Sequence, residues 1–329
     1  MRRRAEEAFM TVHHFAAGGN VMQTIYNKKI QHFVSVPGTA VTYPETVIYG
    51  AKPGKHVTVS AGVHSREYIG IEAVNRLAAA LTPEQICGEL HLLHAINYNG
   101  FIARSSDVCP EDGENLNRVF PGDADGSSTE RLAAFLEKEV IAASDALIDL
   151  HSGGFCESLI PHVYFHGVAS PEVNRQSEEL ARHVSVPYIV RSSAKNGFYS
   201  YAGQCGVPAI ILERGCCGLW SEDEVLADME DVKNMLRYLG TLQDGIDPVR
   251  YENIVLGRGW YEDAPVSGCW YPRKKVGACV HRGEVLGQIR DVFGNVLQTY
   301  LAKDDGVVLY QTASLGIEKD HPMIAYGMK

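Results

Sequence analysis

The chain has 329 residues, a formal net charge of −10, and is 45% hydrophobic and 21% charged. Those proportions suit a globular chain with one large core and a smaller unit beside it. They argue against a nucleic-acid surface, since no Lys/Arg-rich run with interleaved aromatics occurs. No run of about 18 apolar residues is present, so no membrane span is expected, and Arg2-Arg3-Arg4 is not followed by an apolar stretch of signal-peptide length. The eight cysteines show no C-x-x-C spacing. They read as reduced thiols in a cytoplasmic protein.

In chain order, residues 1–21 lack periodicity and carry Gly18-Gly19-Asn20, which predicts a mobile leader. Runs between Thr24 and Tyr49 alternate as half-buried strands do, and Lys52-Pro53-Gly54-Lys55 marks a turn. An α/β rhythm follows, with a strand over 56–60, a helix over 67–81 and a strand over 90–97. A long loop over 98–128 leads to a helix over 129–143 and strands over 146–150 and 162–166. The series closes with a helix over 171–184, strands over 187–191 and 208–212, and a helix over 221–240. Strands alternating with helices predict an α/β fold: a mixed, mostly parallel sheet with helices on both faces. After the linker candidate Asp244–Pro248 the runs become short, β-like and Gly-punctuated. The expected division is a catalytic domain over 22–245 and a β-rich, barrel-sandwich-like domain over 246–329.

Three ionisable residues stand at or just past strand ends: His64, His151 and Glu213. In open α/β sheets, sites form at the carboxyl edge of the strands. His64 is followed three residues on by Glu67 at the expected start of a helix, so both side chains can reach one ion. A hydrolytic zinc needs three protein ligands and one open position, and His64, Glu67 and His151 supply two imidazoles and a carboxylate. The His-x-x-Glu spacing recurs at His281 and Glu284, where no comparable company surrounds it. Glu213 is the best-placed carboxylate to act as base on the attacking water; pairing with a nearby Arg at the sheet edge is the competing role. Cys216 and Cys217 follow that strand, and both simple burial and a place in a pocket wall are open to them.

A loop of some 30 residues in a compact domain is usually functional. This one carries Arg104 and then Glu114-Asn115-Leu116-Asn117-Arg118-Val119-Phe120-Pro121-Gly122. One of Arg104 and Arg118 can polarise a scissile carbonyl and the other can grip a substrate carboxylate, or both can pin the loop to acidic neighbours.

Taken together, His64-x-x-Glu67, Asn117-Arg118 before Phe-Pro-Gly, His151 after Asp-Leu, and Glu213 after an apolar strand resemble the zinc carboxypeptidase superfamily. Within it, the likeness is to the succinylglutamate desuccinylase/aspartoacylase family, over about residues 25–329. The resemblance implies one zinc per chain, held by His64, Glu67 and His151, with Glu213 as general base and later proton donor to the leaving amine. It implies that Arg104 stabilises the oxyanion and that Asn117 with Arg118 binds the substrate carboxylate. The expected activity is removal of an acyl group from a small N-acyl amino acid, the alternative being a zinc carboxypeptidase acting on short peptides. Two departures stand out. Asn115 replaces an Asp that in this family orients a zinc-bound His, leaving Asp149 or Glu114 to compensate. Gly203, ten residues before Glu213, stands where aspartoacylases place a second carboxylate-binding Arg, which favours a substrate with one carboxylate or with a side-chain amine. The tail, including Val276–Ile289 and Phe293-Gly294, resembles a lipoyl/biotinyl-like module without the carrier Lys, and so reads as a structural or substrate-covering unit. Oligomerisation as a homo-oligomer is left open by the sequence.

Overall fold

Ten short strands form the frame of the large unit: β1 (Lys28–Ser35), β2 (Thr42–Tyr49), β3 (Lys52–Ala61), β4 (Cys87–Leu93), β5 (Ala146–His151), β6 (Glu157–Leu159), β7 (His162–His166), β8 (Tyr188–Ser192), β9 (Ala209–Glu213) and β10 (Ile254–Leu256). They come from a computed structural model that describes residues 26–105 and 107–328. The leader expected over 1–21 lies outside the described residues. All but β6 join one nine-stranded sheet in the order β1-β2-β4-β3-β5-β9-β7-β8-β10. The β4-β3-β5-β9 block is parallel, as are β7-β8-β10, while β1-β2, β2-β4 and β9-β7 pair antiparallel.

The helices are α1 (Tyr68–Ala80), α2 (Tyr98–Ala103), α3 (Ser128–Glu139), α4 (Pro171–Ala181), α5 (Phe198–Gln204) and α6 (Glu222–Tyr238). Successive strand residues point to opposite faces, and the sheet uses that alternation to hold two cores. Ile148, Leu150, Ile210 and Leu212 pack with Ile69 and Leu77 of α1 and Val232 and Leu236 of α6. Leu147, Ala209 and Ile211 pack on the other face with Leu132 and Leu136 of α3 and Phe198 and Ala202 of α5. Helices therefore cover both faces of a mixed, largely parallel sheet, as the sequence predicts. Gly70 lets α1 lie directly on β5, since a Cβ there would stand 2.6 Å from the Leu150 Cβ. Among the described residues, no helix is long and apolar enough to cross a membrane.

The local sequence explains where the helices begin. Ser127 caps α3 and closes a capping box with Glu130, and Ser170 caps α4 ahead of Pro171 at its first position. Ser221 caps α6, whose first turn holds Glu222, Asp223 and Glu224 against the positive end of the helix. Helix α1 starts differently. Its N-cap residue, Glu67, makes no side-chain cap bond. A missing cap costs about 1 kcal/mol, and the Glu67 carboxylate is turned to other partners instead.

Past β10 the chain forms β11 (Arg258–Asp263), β12 (Gly268–Pro272), β13 (Cys279–Val280), β14 (Val285–Arg290), β15 (Val296–Leu301), β16 (Gly306–Thr312), β17 (Gly316–Ile317) and β18 (Pro322–Met328). Two antiparallel sheets, β11-β18-β16-β13 and β15-β14-β12-β17, enclose a third core around Trp270, Leu286, Ile289, Val308, Ile324 and Tyr326. The tail is tied to the large unit at two places. Strand β10 pairs with β8 and completes the large sheet. Strand β6, just after His151, pairs antiparallel with β16, setting Glu157 opposite Thr312 and Leu159 opposite Tyr310.

Candidate metal centre

Strand β3 runs out at Ala61, and Gly62 takes a positive φ of 67° that L-residues with side chains seldom adopt. The turn places His64 and Glu67 ahead of α1, beside the end of the neighbouring strand β5 and its last residue, His151. The three side chains meet: His64 Nδ1 lies 2.7 Å from Glu67 Oε1, and His151 Nδ1 lies 2.8 Å from Glu67 Oε2. One ligand atom from each falls within 4.8 Å of the others. The imidazole rings are edge-on, with centroids 5.0 Å apart.

The outer ring nitrogens are tied back. His151 Nε2–H donates to Asp149 Oδ2 at 3.1 Å, and Ser60 Oγ–H donates to the other oxygen of Asp149 at 2.8 Å. His64 Nε2–H donates to Asn115 Oδ1 at 3.2 Å. Each Nδ1–H donates to a Glu67 oxygen; an ion there would replace those two protons while Asn115 and Asp149 keep the protons on the outer nitrogens, the arrangement of metal-ligating histidines backed by an acceptor. Asn115 and Asp149 thus serve different histidines: a neutral amide behind His64 and a fully buried carboxylate behind His151. Two imidazoles and a carboxylate converging in this way fit a zinc ion.

The electrostatics follow from burial. Burial opposes charge on His64 and His151, yet facing Glu67 carries both above the ordinary imidazole range. Burial alone would raise Glu67, but the two imidazoles hold its carboxyl down to about 2, so it stays ionised.

Glu213 ends β9 in register with His151, so both side chains leave the same face of the sheet. Arg214, one residue on, faces the other way and pairs with Asp228 at 2.7 Å and with Asp231, both on α6. Among the described residues, Glu213 therefore lacks the arginine partner weighed for it. Burial pushes the Glu213 carboxyl well up, and Glu67, Glu157 and Asp149 add to this against the pull of His151.

The other residues singled out in the sequence lie as follows. Asn117 is buried in a 3-10 turn over Leu116–Arg118, and its side-chain oxygen accepts the Phe198 N–H at 2.9 Å, fastening the loop to α5. Arg118 is exposed, donates to the Asn117 carbonyl at 2.9 Å, and lies close enough to Tyr310 for its charge to act on that hydroxyl. Arg104 makes no side-chain hydrogen bond or ion pair with the cluster among the described residues. It ends α2 at a positive φ of 57° and lines an open groove with Tyr68, Glu72, Asn75 and Trp220 on the outer side of α1. Arg66 lies over the Phe155 ring at 4.3 Å, and its Nε is buried without a hydrogen-bond partner. Cys216 and Cys217 are half-buried, with the Cys216 thiol donating to the Leu159 carbonyl at 3.5 Å and the Cys217 N–H to the Glu157 carbonyl at 2.8 Å. Gly203 has no room for any side chain, because a Cβ there would lie 2.3 Å from His166 Nε2. His281 and Glu284 sit in the tail, where Glu284 pairs with Lys274 and His281 is 76% exposed, far from a closed ligand set.

Sequence reasoning missed three polar groups of this site. Glu157, on β6, makes no side-chain hydrogen bond or ion pair among the described residues; burial pushes its carboxyl up to about 8, with Glu67 and Asp107 adding to the effect. Asp107 has one carboxylate oxygen buried without a hydrogen-bond partner. Tyr310, on β16, is half-buried beside Glu157, Tyr261 and Glu213, whose charges act on its hydroxyl. No spacing in the sequence points to them, because the tail strand β16 aligns β6 from about 150 residues away.

Fold and site together define an α/β protein with a three-residue ligand set at the carboxyl edge of a mixed sheet and a β-sandwich tail reaching into the same region. The family model of the succinylglutamate desuccinylase/aspartoacylase catalytic domain matches residues 53–239, and the chain belongs to that family. It is 28% identical over 283 residues to N-alpha-acetyl-L-2,4-diaminobutyric acid deacetylase of Halomonas elongata, covering 82% of this chain and 80% of that protein. The fold is shared with the product-bound ectoine utilization protein EutE (DoeB) of Ruegeria pomeroyi, at a TM-score of 0.83, 23% identity, and coverage of 94% of this chain and 98% of that one. It is shared equally with a succinylglutamate desuccinylase/aspartoacylase of Rhodobacter sphaeroides, at a TM-score of 0.82, 24% identity and the same coverage of 94% and 98%.

Proposed function

We propose that this protein is a zinc-dependent amide hydrolase that removes an acyl group from a small N-acyl amino acid. The observation that carries the proposal is the convergence of His64 Nδ1, His151 Nδ1 and the Glu67 carboxylate, with the outer ring nitrogens held by Asn115 and Asp149. One zinc held there would acidify water and polarise the acyl carbonyl. Glu213, beside His151, takes the proton from the attacking water and passes it to the leaving amine. A cation among the ligands draws the Glu213 carboxyl down from the raised position that burial gives it, towards the ionised form a base needs. Arg118 and Asn117, on one turn of the long loop, are the groups proposed to hold the substrate carboxylate.

The amino acid released is proposed to carry a side-chain amine. Glu157 is a buried carboxyl that the metal ligands do not use and that has no cation paired with it among the described residues, and burial holds it up to about 8, so it ionises only against an incoming positive charge. An ammonium group would satisfy that carboxylate. The Halomonas elongata relative, whose named substrate is N-alpha-acetyl-L-2,4-diaminobutyric acid, supports the same choice. The peptidase alternative is disfavoured by the tail, which adds β16 to β6 and sets Tyr310 close to Glu213, narrowing the space for an extended chain.

The test is a screen of zinc-loaded protein against N-acetyl-2,4-diaminobutyrate, N-acetylaspartate, N-succinylglutamate and short peptides with free carboxyl termini. Release of free amino acid from the N-acetyl diamino substrate is expected. Cleavage of the peptides without turnover of any N-acyl amino acid would overturn the proposal.

A further inference from the structure

A second group of histidines and carboxylates lies near the start of β3, away from the edge that leads to His64. His56 is in register with Glu89, and Thr58 with His91, so by the two-residue alternation His56, Glu89 and His91 project from one face of the β3-β4 pair. All three are half-buried. Their rings and carboxylate are close: His56 Nδ1 to Glu89 Oε2 is 3.8 Å, and His91 Nε2 to the same oxygen is 3.6 Å. The two rings stack with centroids 4.1 Å apart and planes 15° from parallel. One donor atom from each residue falls within 4.8 Å of the others.

The roles of the ring nitrogens are set from outside the group. His91 Nδ1–H donates to Glu45 Oε1 at 2.7 Å, which leaves the lone pair on Nε2. That Nε2 is buried and has no hydrogen-bond partner, and it faces Glu89 and His56. A carboxylate behind one nitrogen of an imidazole, with the other nitrogen free and aimed at a second carboxylate, is the arrangement that prepares histidine as a metal ligand. Around a tetrahedral zinc with bonds of about 2.1 Å, donor atoms stand roughly 3.4 Å apart. The two contacts to Glu89 are longer than that by only a few tenths of an ångström; because the rings stack nearly parallel, binding one ion requires one imidazole to turn out of the stack so that both lone pairs meet it.

We propose that His56, Glu89 and His91 form a second divalent-metal site, of the zinc, cobalt or nickel class, that clips β3 to β4 and plays no part in turnover. Two imidazoles and one carboxylate select borderline transition metals over calcium or magnesium. Because it lies on the strand that leads to His64, an ion there would stiffen the sheet from the opposite end. The competing role for the same residues is a proton on His91 shared between Glu45 and Glu89; burial opposes charge on that ring, but the two carboxylates carry it up to about 9.

The test uses the full chain, stripped of metal and titrated with zinc alone against a competing chelator, with thermal unfolding followed in parallel. The expected result is two bound zinc ions for the wild type. His64→Ala loses one of them. His56→Ala and Glu89→Gln each weaken the other at least tenfold and abolish its stabilising effect, while turnover in His56→Ala stays at the wild-type value. His91→Ala should behave like His56→Ala. A single zinc in the wild type overturns the proposal, and so does a second zinc that persists unchanged in both His56→Ala and Glu89→Gln. Loss of stability in His91→Ala with no zinc dependence in any variant identifies the proton-bridged role instead.

Discussion

Asp149→Asn is the substitution that separates a metal centre from a mere cluster of buried polar groups. Asp149 is fully buried, accepts from Ser60 Oγ at 2.8 Å and from His151 Nε2 at 3.1 Å. Asparagine keeps the shape but offers only one acceptor oxygen. If that oxygen stays with Ser60, the amide N–H₂ meets the His151 Nε2–H, donor against donor. Relief comes from moving the imidazole proton to Nδ1, which removes the lone pair that a metal needs. Loss of such a supporting partner typically weakens metal affinity 10- to 100-fold, or about 1.4–2.8 kcal/mol. The assay is zinc competition with a chromogenic chelator, alongside kcat and a circular dichroism melt to check folding. Asn115→Asp provides the converse: a charge behind His64 should tighten zinc, since the amide there is neutral. A folded Asp149→Asn protein with zinc affinity within about threefold of wild type would refute the reasoning that Asp149 fixes the His151 tautomer.

Other residues give further tests. Glu213→Gln should retain zinc while kcat falls on the order of 10²–10⁴-fold; near-normal turnover would put the base elsewhere. Glu157→Gln should lower kcat/KM for an N-acetyl diamino acid by about tenfold or more, and barely change it for the neutral-side-chain analogue; an equal loss on both substrates would remove Glu157 from recognition. His162 and His166 are buried and held neutral, each pushed down to about 4 chiefly by burial, against an ordinary value of 6.5. Above pH 6.5 both are neutral whether folded or unfolded, so their contribution is fully present. Between 6.5 and 4 the unfolded chain takes up protons that the folded chain refuses, and that stability is lost as pH falls. The loss is at most on the order of 3 kcal/mol for each group. Urea unfolding at pH 7.5 and 5 should show a smaller drop for His166→Gln than for the wild type; equal drops would contradict a neutral, buried His166.

Much of the frame was legible because strong periodicity survives tertiary packing. The apolar run at 146–150 lies within β5, the run at 208–212 overlaps β9 one residue early, and the amphipathic run ending at Leu81 corresponds to α1. Strand ends then located His64, His151 and Glu213, since a polar residue directly after a buried strand has few packing roles. What escaped was set by contacts from afar. Strand β6 has only three residues and exists because β16 pairs with it, so Glu157 carried no local signal. Helix α5 was hidden in Phe198–Gln204, a segment too short to show a helical stripe, and its start is fixed by the Asn117 side chain. Ile254–Leu256 lies in a stretch that reads as tail, yet β8 takes it into the large sheet. The oxyanion role of Arg104 rested on the family resemblance, since the loop alone left Arg104 and Arg118 interchangeable. Residues 98–103, expected as the start of that loop, wind into α2, and Arg104 follows its last turn beside a groove lined by Tyr68, Glu72 and Trp220. The Glu213–Arg alternative needed the register, and the alternation that sends Arg214 to Asp228 and Asp231 takes that arginine away from Glu213.

Metal dependence of turnover tests the proposed hydrolase most directly. Protein stripped with a strong chelator should lose acyl-amino-acid hydrolysis in proportion to the zinc removed. Activity should return on adding zinc to the wild type and to His56→Ala, but not to His64→Ala. Full activity in wild-type protein shown by elemental analysis to hold no metal would contradict a catalytic zinc at His64, Glu67 and His151.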